Sequence, residues 1–289
     1  MKPLKIGVIY SVNDIAASGI VNQLLQELVC KEIYSNSGFV KKAFSCKFDF
    51  HEVQLLGYDS EVVFLEPSQL EFISNVDFIV IPSRHESSSR IKSFTVHAPG
   101  NPWRRSDFGG KPMQLSMSNP VLMWYMLWEL NRLRQSYPTL TEFLVSYEVT
   151  HHGPTIPTKP VTFIEIGGSE REWSIAEAHK VVAKAIKNAI TYLSRVQGSE
   201  SCTVSVGFGG NHYASLFTKR AFEKNECYGH IVANYIIKEL ALEDLKIVTE
   251  MAIRLTPGVA RIVIEKMRSE LRNNITLIAK SLELEIVTL

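Results

Sequence analysis

The stretch LKIGVIYSVNDIAASGIVNQLLQELV, residues 4–29, sets the fold class. Its first seven residues are mostly β-branched and apolar, the pattern of a buried strand. Ser11-Val12-Asn13-Asp14 then supplies residues that cap helices, and the apolar positions from Ile15 onward recur at helical spacing. A strand, a turn and a helix open the chain.

Further strand-like runs lie at Phe48–Leu55, Asp77–Ile81, Phe94–Val96, Phe143–Thr150, Val161–Ile166 and Thr203–Val206. Helical patterns separate several of them. Asn119-Pro120 suits an N-cap followed by proline at the first helical position, predicting a buried helix to about Gln135. Ser174–Arg195 is strongly amphipathic, with Ser174 and Glu177 as its expected capping box. The tail 241–289 reads as mostly helical, interrupted at Pro257-Gly258 and ending in the strand-like run Leu284–Leu289. Strands alternating with helices predict an α/β protein of three layers, a central mixed and mostly parallel sheet flanked by helices. We expect one domain over residues 1–289.

Composition narrows the function. The 289 residues are 45% hydrophobic, enough for a large core, and 31 Lys+Arg nearly balance 30 Asp+Glu. Global charge therefore gives no reason to expect nucleic acid or a membrane surface, although a local basic patch can still hold phosphate. The four cysteines are widely spaced with no C-x-x-C pair. Neither a disulfide scaffold nor a thiolate zinc ribbon is expected, which suits a cytoplasmic protein. No signal pattern opens the chain, and VLMWYMLWEL at 121–130 is about half the length of a membrane span. Nothing calls for an obligatory protein partner.

Five of the eight histidines follow apolar runs. His85 follows VDFIVIPSR, His97 closes IKSFTV, His151-His152 follow FLVSYEVT, and His212 follows CTVSVGFGG. Ligands of open α/β sheets bind at the carboxyl ends of parallel strands, and imidazole suits both proton transfer and metal binding. A shared site at that end is the expectation. Strand alternation would put Glu148, Thr150 and His152 on one face, as a metal-ligand pair or as a base with its orienting group. Glu165 sits inside the apolar run FIEIGG and needs a buried partner, whether metal, histidine or arginine. The glycines Gly167-Gly168 and Gly209-Gly210 would let backbone N–H groups approach an oxyanion. The segment Gly207–His212 is like a dinucleotide loop, but His212 replaces its third glycine and excludes that reading. Arg84 in SRHESSSR suits phosphate contact, and Trp103-Arg104-Arg105 offers a stacking platform beside two guanidiniums. His230 in YGHI is a weaker candidate, and His51 and His179 read as structural.

Six ordered blocks resemble the archaeal and plant type of D-aminoacyl-tRNA deacylase: SRHESSS at 83–89, TVHAPGN at 95–101, THHGPT at 150–155, FIEIGGSEREW at 163–173, FGGNHYA at 208–214 and GHI at 229–231. The family pattern differs at Asn211 and Ser215, where it carries glycine and proline. The resemblance implies a fold akin to the phosphorylase and peptidyl-tRNA hydrolase group. It also implies a zinc-dependent hydrolase that frees a D-amino acid from tRNA. Chemistry then assigns His97, His151, His212 and Glu165 to the metal and Glu148 and His152 to catalysis. Arg84, His85, Arg104, Arg105, Lys111, His230 and the four glycines would contact D-aminoacyl-tRNA. A metal exopeptidase, a nucleoside phosphorylase and a non-catalytic tRNA-binding protein are the competing readings. The absence of a G-x-S-x-G elbow disfavours a serine nucleophile.

Overall fold

The computed structural model describes residues 3–35, 37–73, 75–195 and 202–289, with the side chains of 71–73 excepted. In chain order the elements are β1 (Lys5–Ser11), α1 (Ile15–Glu27), β2 (Val29–Glu32), β3 (Val40–Phe48), β4 (His51–Tyr58), β5 (Phe78–Glu86) and β6 (Ser93–His97). There follow β7 (Gly100–Asn101), β8 (Gln114–Leu115), α2 (Pro120–Arg134), β9 (Leu144–Tyr147), β10 (Val161–Gly168), α3 (Glu170–Trp173) and α4 (Ala176–Arg195). The chain closes with β11 (Thr203–Phe208), α5 (Ser215–Lys224), β12 (Glu226–Val232), α6 (Asn234–Glu239), α7 (Leu242–Arg254), β13 (Arg261–Ile264), α8 (Ser269–Ser281) and β14 (Glu285–Thr288).

The strands form two main sheets rather than one. The larger has eight strands in the order β2-β3-β4-β1-β5-β10-β6-β9, and the smaller is β12-β11-β13-β14 with every pairing parallel. In the larger sheet β4, β1, β5 and β10 run one way. Strands β6 and β9 run the other way beyond them. Helices α1, α2 and α4 cover one face of the larger sheet, and α2 also touches β11 and β12 of the smaller. One apolar core therefore runs through both sheets, while a second, smaller core of Ile9, Leu56, Ile81 and Phe163 fills the other face of the large sheet. This is the three-layer α/β architecture expected. Among the described residues no helix is long and apolar enough to cross a membrane.

Several local expectations need correction. Phe48–Leu55 is not one strand: Asp49 takes φ 52° and turns β3 into β4. The strand expected over Asp77–Ile81 runs on to Glu86, in register with β10. The capping box expected at Ser174 and Glu177 is found instead at Ser169 and Glu172, opening the separate short helix α3, where the Ser169 N–H and hydroxyl both bond Glu172 Oε2 (3.0 and 2.6 Å); the Ser174 hydroxyl bonds the Glu170 carbonyl. Helix α2 begins as predicted, with Asn119 capping the N–H of Leu122 at 3.2 Å. The four cysteines are paired after all, Cys30 with Cys46 and Cys202 with Cys227. Cys30 and Cys46 are ladder partners in β2 and β3, a proximity that their spacing along the chain does not reveal.

Candidate active site

The site forms where oppositely directed strands meet inside the large sheet. Strand β10 places Glu165 beside Ser83 of β5 on one side and Thr95 of β6 on the other. Two rungs further on, His85 lies opposite Gly167. Because β6 is antiparallel, its last residue, His97, comes down next to Phe163. The expectation of a single carboxyl edge is therefore replaced by convergence from both directions. The chain after β9 bridges Glu148 to Tyr213, and the Val149 N–H bonds the His212 carbonyl at 3.1 Å. The loop following β11 of the smaller sheet is thereby pulled onto the larger.

Five histidines and two carboxylates gather there. His85 Nδ1 lies 3.3 Å from both Glu148 and Glu165, and His97 Nε2 is 3.9 and 3.8 Å from the same two. His151 Nε2 and His212 Nε2 approach Glu148 at 3.7 and 3.5 Å. His152 completes the group, its ring centroid 4.9 Å from that of His97. Both members of the adjacent pair thus face the site. Thr150 does not, because regular alternation ends at Tyr147 and His152 takes φ 47°. The Thr150 hydroxyl meets His230 Nδ1 at 3.0 Å, and His230 Nε2 lies 3.0 Å from the Ser116 carbonyl. His230 is fully buried with both ring nitrogens occupied, so the substrate contact expected of it is withdrawn. His51 and His179 are structural as expected, each tied to backbone.

Charge and tautomer follow from this packing. Burial lowers the pKa of His85, but Glu148 and Glu165 outweigh it and bring it up to about 9. His97 is raised in the same way, against burial, by Glu165 and Glu148. Burial and the neighbouring imidazoles instead push His151 well down, and His152 down to about 4. Both carboxyls stay below their ordinary range although burial opposes it, Glu148 through His85 and His212, Glu165 through His85 and His97. The Nδ1 atoms of His97, His151 and His152 rest on the carbonyls of Ala98, Val149 and Gly153 at 3.3, 2.8 and 2.7 Å. For His151 and His152, whose pKa is lowered, such bonds fix the tautomer with the Nε2 lone pair free.

Unpartnered atoms within the cluster could hold a metal ion. His85 Nε2, His97 Nε2, His212 Nε2, both oxygens of Glu148 and Oε2 of Glu165 are buried without a hydrogen-bond partner among the described residues. Buried polar atoms are normally satisfied, so several in one place call for an ion or for water. Three overlapping trios have ligand atoms within 4.8 Å of one another: His97-His151-His152, His85-Glu148-His212 and His97-Glu148-Glu165. Nitrogen and carboxylate donors of this kind fit a divalent transition metal.

The remaining expected residues divide. A cavity of about 890 Å³ opens on the cluster and is lined by Arg84, His85, His151, His152, Glu165 and His212. Arg84 is held there by Asp14 and Glu61. Arg105 lines a second, smaller cavity, bound to Glu239 at 3.0 Å and lying over the Trp103 ring at 4.6 Å. Arg104 lines neither, its guanidinium making two bonds to Asp244 at 2.7 and 2.8 Å, and Lys111 is exposed away from both. Gly209 and Gly210 are not oxyanion donors. The Gly209 N–H bonds the Val232 carbonyl, and the Gly210 N–H bonds Glu265. Gly167 and Gly168 are the last rungs of β10, opposite His85 and Glu86, and line neither cavity.

Three residues join the site unforeseen. Ser83 donates to Glu165 Oε1 at 2.6 Å. Asp14 caps α1 through the Ala17 N–H and also accepts the Arg84 N–H at 2.8 Å, fixing the end of β5. Tyr213 lines the large cavity, its ring 5.8 Å from His85 and 5.5 Å from His212, with a hydroxyl that lacks a partner among the described residues. The capping role of Asp14 is legible locally, and Tyr213 adjoins His212 in the chain; the contacts Ser83–Glu165, Asp14–Arg84 and Tyr213–His85 cross 70 residues or more and are not legible.

Comparison with known proteins adds a consistent picture. A family model described as D-aminoacyl-tRNA deacylase matches residues 72–287. A protein of Staphylothermus marinus named D-aminoacyl-tRNA deacylase is 36% identical over 260 residues, covering 90% of each chain. One of the same name from Aeropyrum pernix is 31% identical over 267 residues, covering 92% of each. A crystal structure described as a conserved protein of unknown function superposes with a TM-score of 0.84 at 28% identity, over 100% of this chain and 96% of that one.

Proposed function

The chain belongs to the D-aminoacyl-tRNA deacylase family, and from that premise we propose that its His/Glu cluster hydrolyses the ester between a D-aminoacyl group and the terminal ribose of tRNA. The observation that carries this reading is the set of unpartnered imidazole and carboxylate atoms buried against the large cavity. Ester hydrolysis needs an activated water, a stabiliser for the tetrahedral oxyanion and a proton for the departing ribose oxygen.

The trio His97, His151 and His152 would hold a zinc ion, with Glu165 anchoring His97 from below. Bound zinc supplies a Lewis acid and brings the pKa of its water to about 7. The second trio is suited to proton handling. Glu148 reaches His85, His97, His151 and His212, so its carboxylate orients the rings and takes the proton of the attacking water. His212, less buried than His85, His97 or His151, returns a proton to the ribose oxygen as the ester C–O bond breaks. Tyr213 takes the part the glycines cannot, donating its hydroxyl to the oxyanion. Ser83 and Glu165 keep His85 and His97 aligned.

The test is turnover of D-Tyr-tRNA by the purified protein, with and without a chelator, beside free D-peptides and nucleosides. Chelator-sensitive release of D-tyrosine, abolished in His151→Ala, is the expected result. Turnover of the peptides or nucleosides alone, or tRNA binding with no ester cleavage, would overturn the reading.

A further inference from the structure

Two cavities, not one, meet at the histidine wall. His151, His152 and His212 line both the large cavity of about 890 Å³ and a smaller chamber of about 300 Å³. Asp107 and Phe108 also border both, so they mark the junction. An ester has two sides, and a site that cleaves it must hold each side in its own space.

The walls differ in kind. The large cavity carries the hydroxyls of Ser87, Ser88 and Ser89, the Arg84 guanidinium, and two aromatics left open to solvent, Phe64 at 53% and Phe108 at 70% exposure. Exposed aromatic faces beside hydroxyl and guanidinium groups are the composition that takes single-stranded nucleotides, whose bases stack and whose phosphates need donors. Its volume is at the upper end of that of ordinary ligand sites, room for more than one nucleoside. The small chamber is at the lower end of that range. Its apolar wall is Trp103 and Tyr235, ring centroids 6.0 Å apart, both partly buried. The one guanidinium there, Arg105, is stacked on Trp103 and bound to Glu239, which leaves the wall aromatic in character.

Resting on the deacylase reading, we infer that the chamber lined by Trp103 and Tyr235 receives the side chain of the D-aminoacyl group, while the large cavity takes the terminal nucleotides. The chamber is then the specificity pocket, and it favours large aromatic or apolar side chains, which bury the most surface against those rings.

Every aminoacyl-tRNA ends in the same nucleotides, whereas the side chain varies, and this separates the two assignments. The experiment compares kcat/KM on D-Tyr-tRNA and D-Ala-tRNA for the unmodified protein, Trp103→Ala and Tyr235→Leu. The quantity read is the ratio of the two substrates on one preparation, which does not depend on the fraction correctly folded. The expected result is a loss of about tenfold or more in the preference for D-Tyr over D-Ala, with D-Ala turnover little changed. Equal losses on both substrates would overturn the assignment and give the chamber to the terminal nucleoside. No change on either would overturn it by showing the chamber idle. Absence of cleavage by the unmodified protein on both substrates would overturn the deacylase reading and this assignment together.

Discussion

Tyr213 carries a buried hydroxyl that no described residue satisfies, beside two imidazoles of the cluster. A donor used in the transition state is felt in kcat and not in KM. Tyr213→Phe should therefore lower kcat about 10²-fold with KM for D-Tyr-tRNA nearly unchanged. A matching rise in KM in steady-state kinetics would show ground-state binding instead. Ser83 acts one step further back, through Glu165. Ser83→Ala should weaken zinc binding roughly 10- to 100-fold, the usual cost of losing a group that orients a ligand. Competition against a chelating dye measures this; unchanged affinity would mean that Glu165 keeps its place unaided. The histidines were legible in the sequence because imidazole after an apolar run has few structural reasons to recur. His230 misled because the partners of a strand residue can lie far away in the chain, here Thr150 and Ser116. Gly209 and Gly210 misled for a related reason: their flexibility could be read, but not the carbonyl and carboxylate that already use their N–H groups.

Elements are fixed to one another in the smaller sheet by a buried carboxylate. Glu226 opens β12 and accepts two bonds from Arg220 of α5, both 2.6 Å, one from Arg261 of β13 at 2.7 Å, and the Tyr228 hydroxyl. Burial raises its pKa, but Arg220, Tyr228 and Arg261 outweigh that and hold it below 4.5. A carboxyl whose folded pKa is depressed adds stability above its unfolded value, and that stability is lost as pH falls through the folded value. Chemical denaturation should thus show the stability falling below about pH 4.5, with a flatter acid limb in Glu226→Gln. At neutral pH the same variant should cost about 3 kcal/mol, because two guanidiniums lose their buried counter-charge. An identical acid limb in both proteins would assign the loss elsewhere. The sequence showed β1, β10 and β11, whose apolar runs are long and buried. It hid β13, four residues between helices, and β2 and β3, which are mostly outside the core and lack a buried run. Short or exposed strands are set by their neighbours in the sheet rather than by their own pattern.

At the scale of the molecule, the alternation of strands and helices predicted layers but not the division into two sheets, because strand order depends on pairings far apart in sequence. That division matters for the site. His85, His97 and Glu165 stand on the large sheet, whereas His212 and Tyr213 follow β11 of the small one. A ligand bound by both groups stabilises both sheets, and the core that runs between them gives the two a common fate. We therefore expect thermal unfolding as one cooperative unit over 1–289, a single transition followed alike by calorimetry and circular dichroism. Zinc at about a hundred times its dissociation constant should raise the stability by roughly 2.7 kcal/mol, moving the whole transition upward. In His151→Ala the zinc-dependent shift should shrink without splitting the transition, since the core between the sheets is untouched. Two transitions in the unmodified protein, with only the later one responding to zinc, would mean that the small sheet melts independently. In that case the core shared by the two sheets would not give them a common fate.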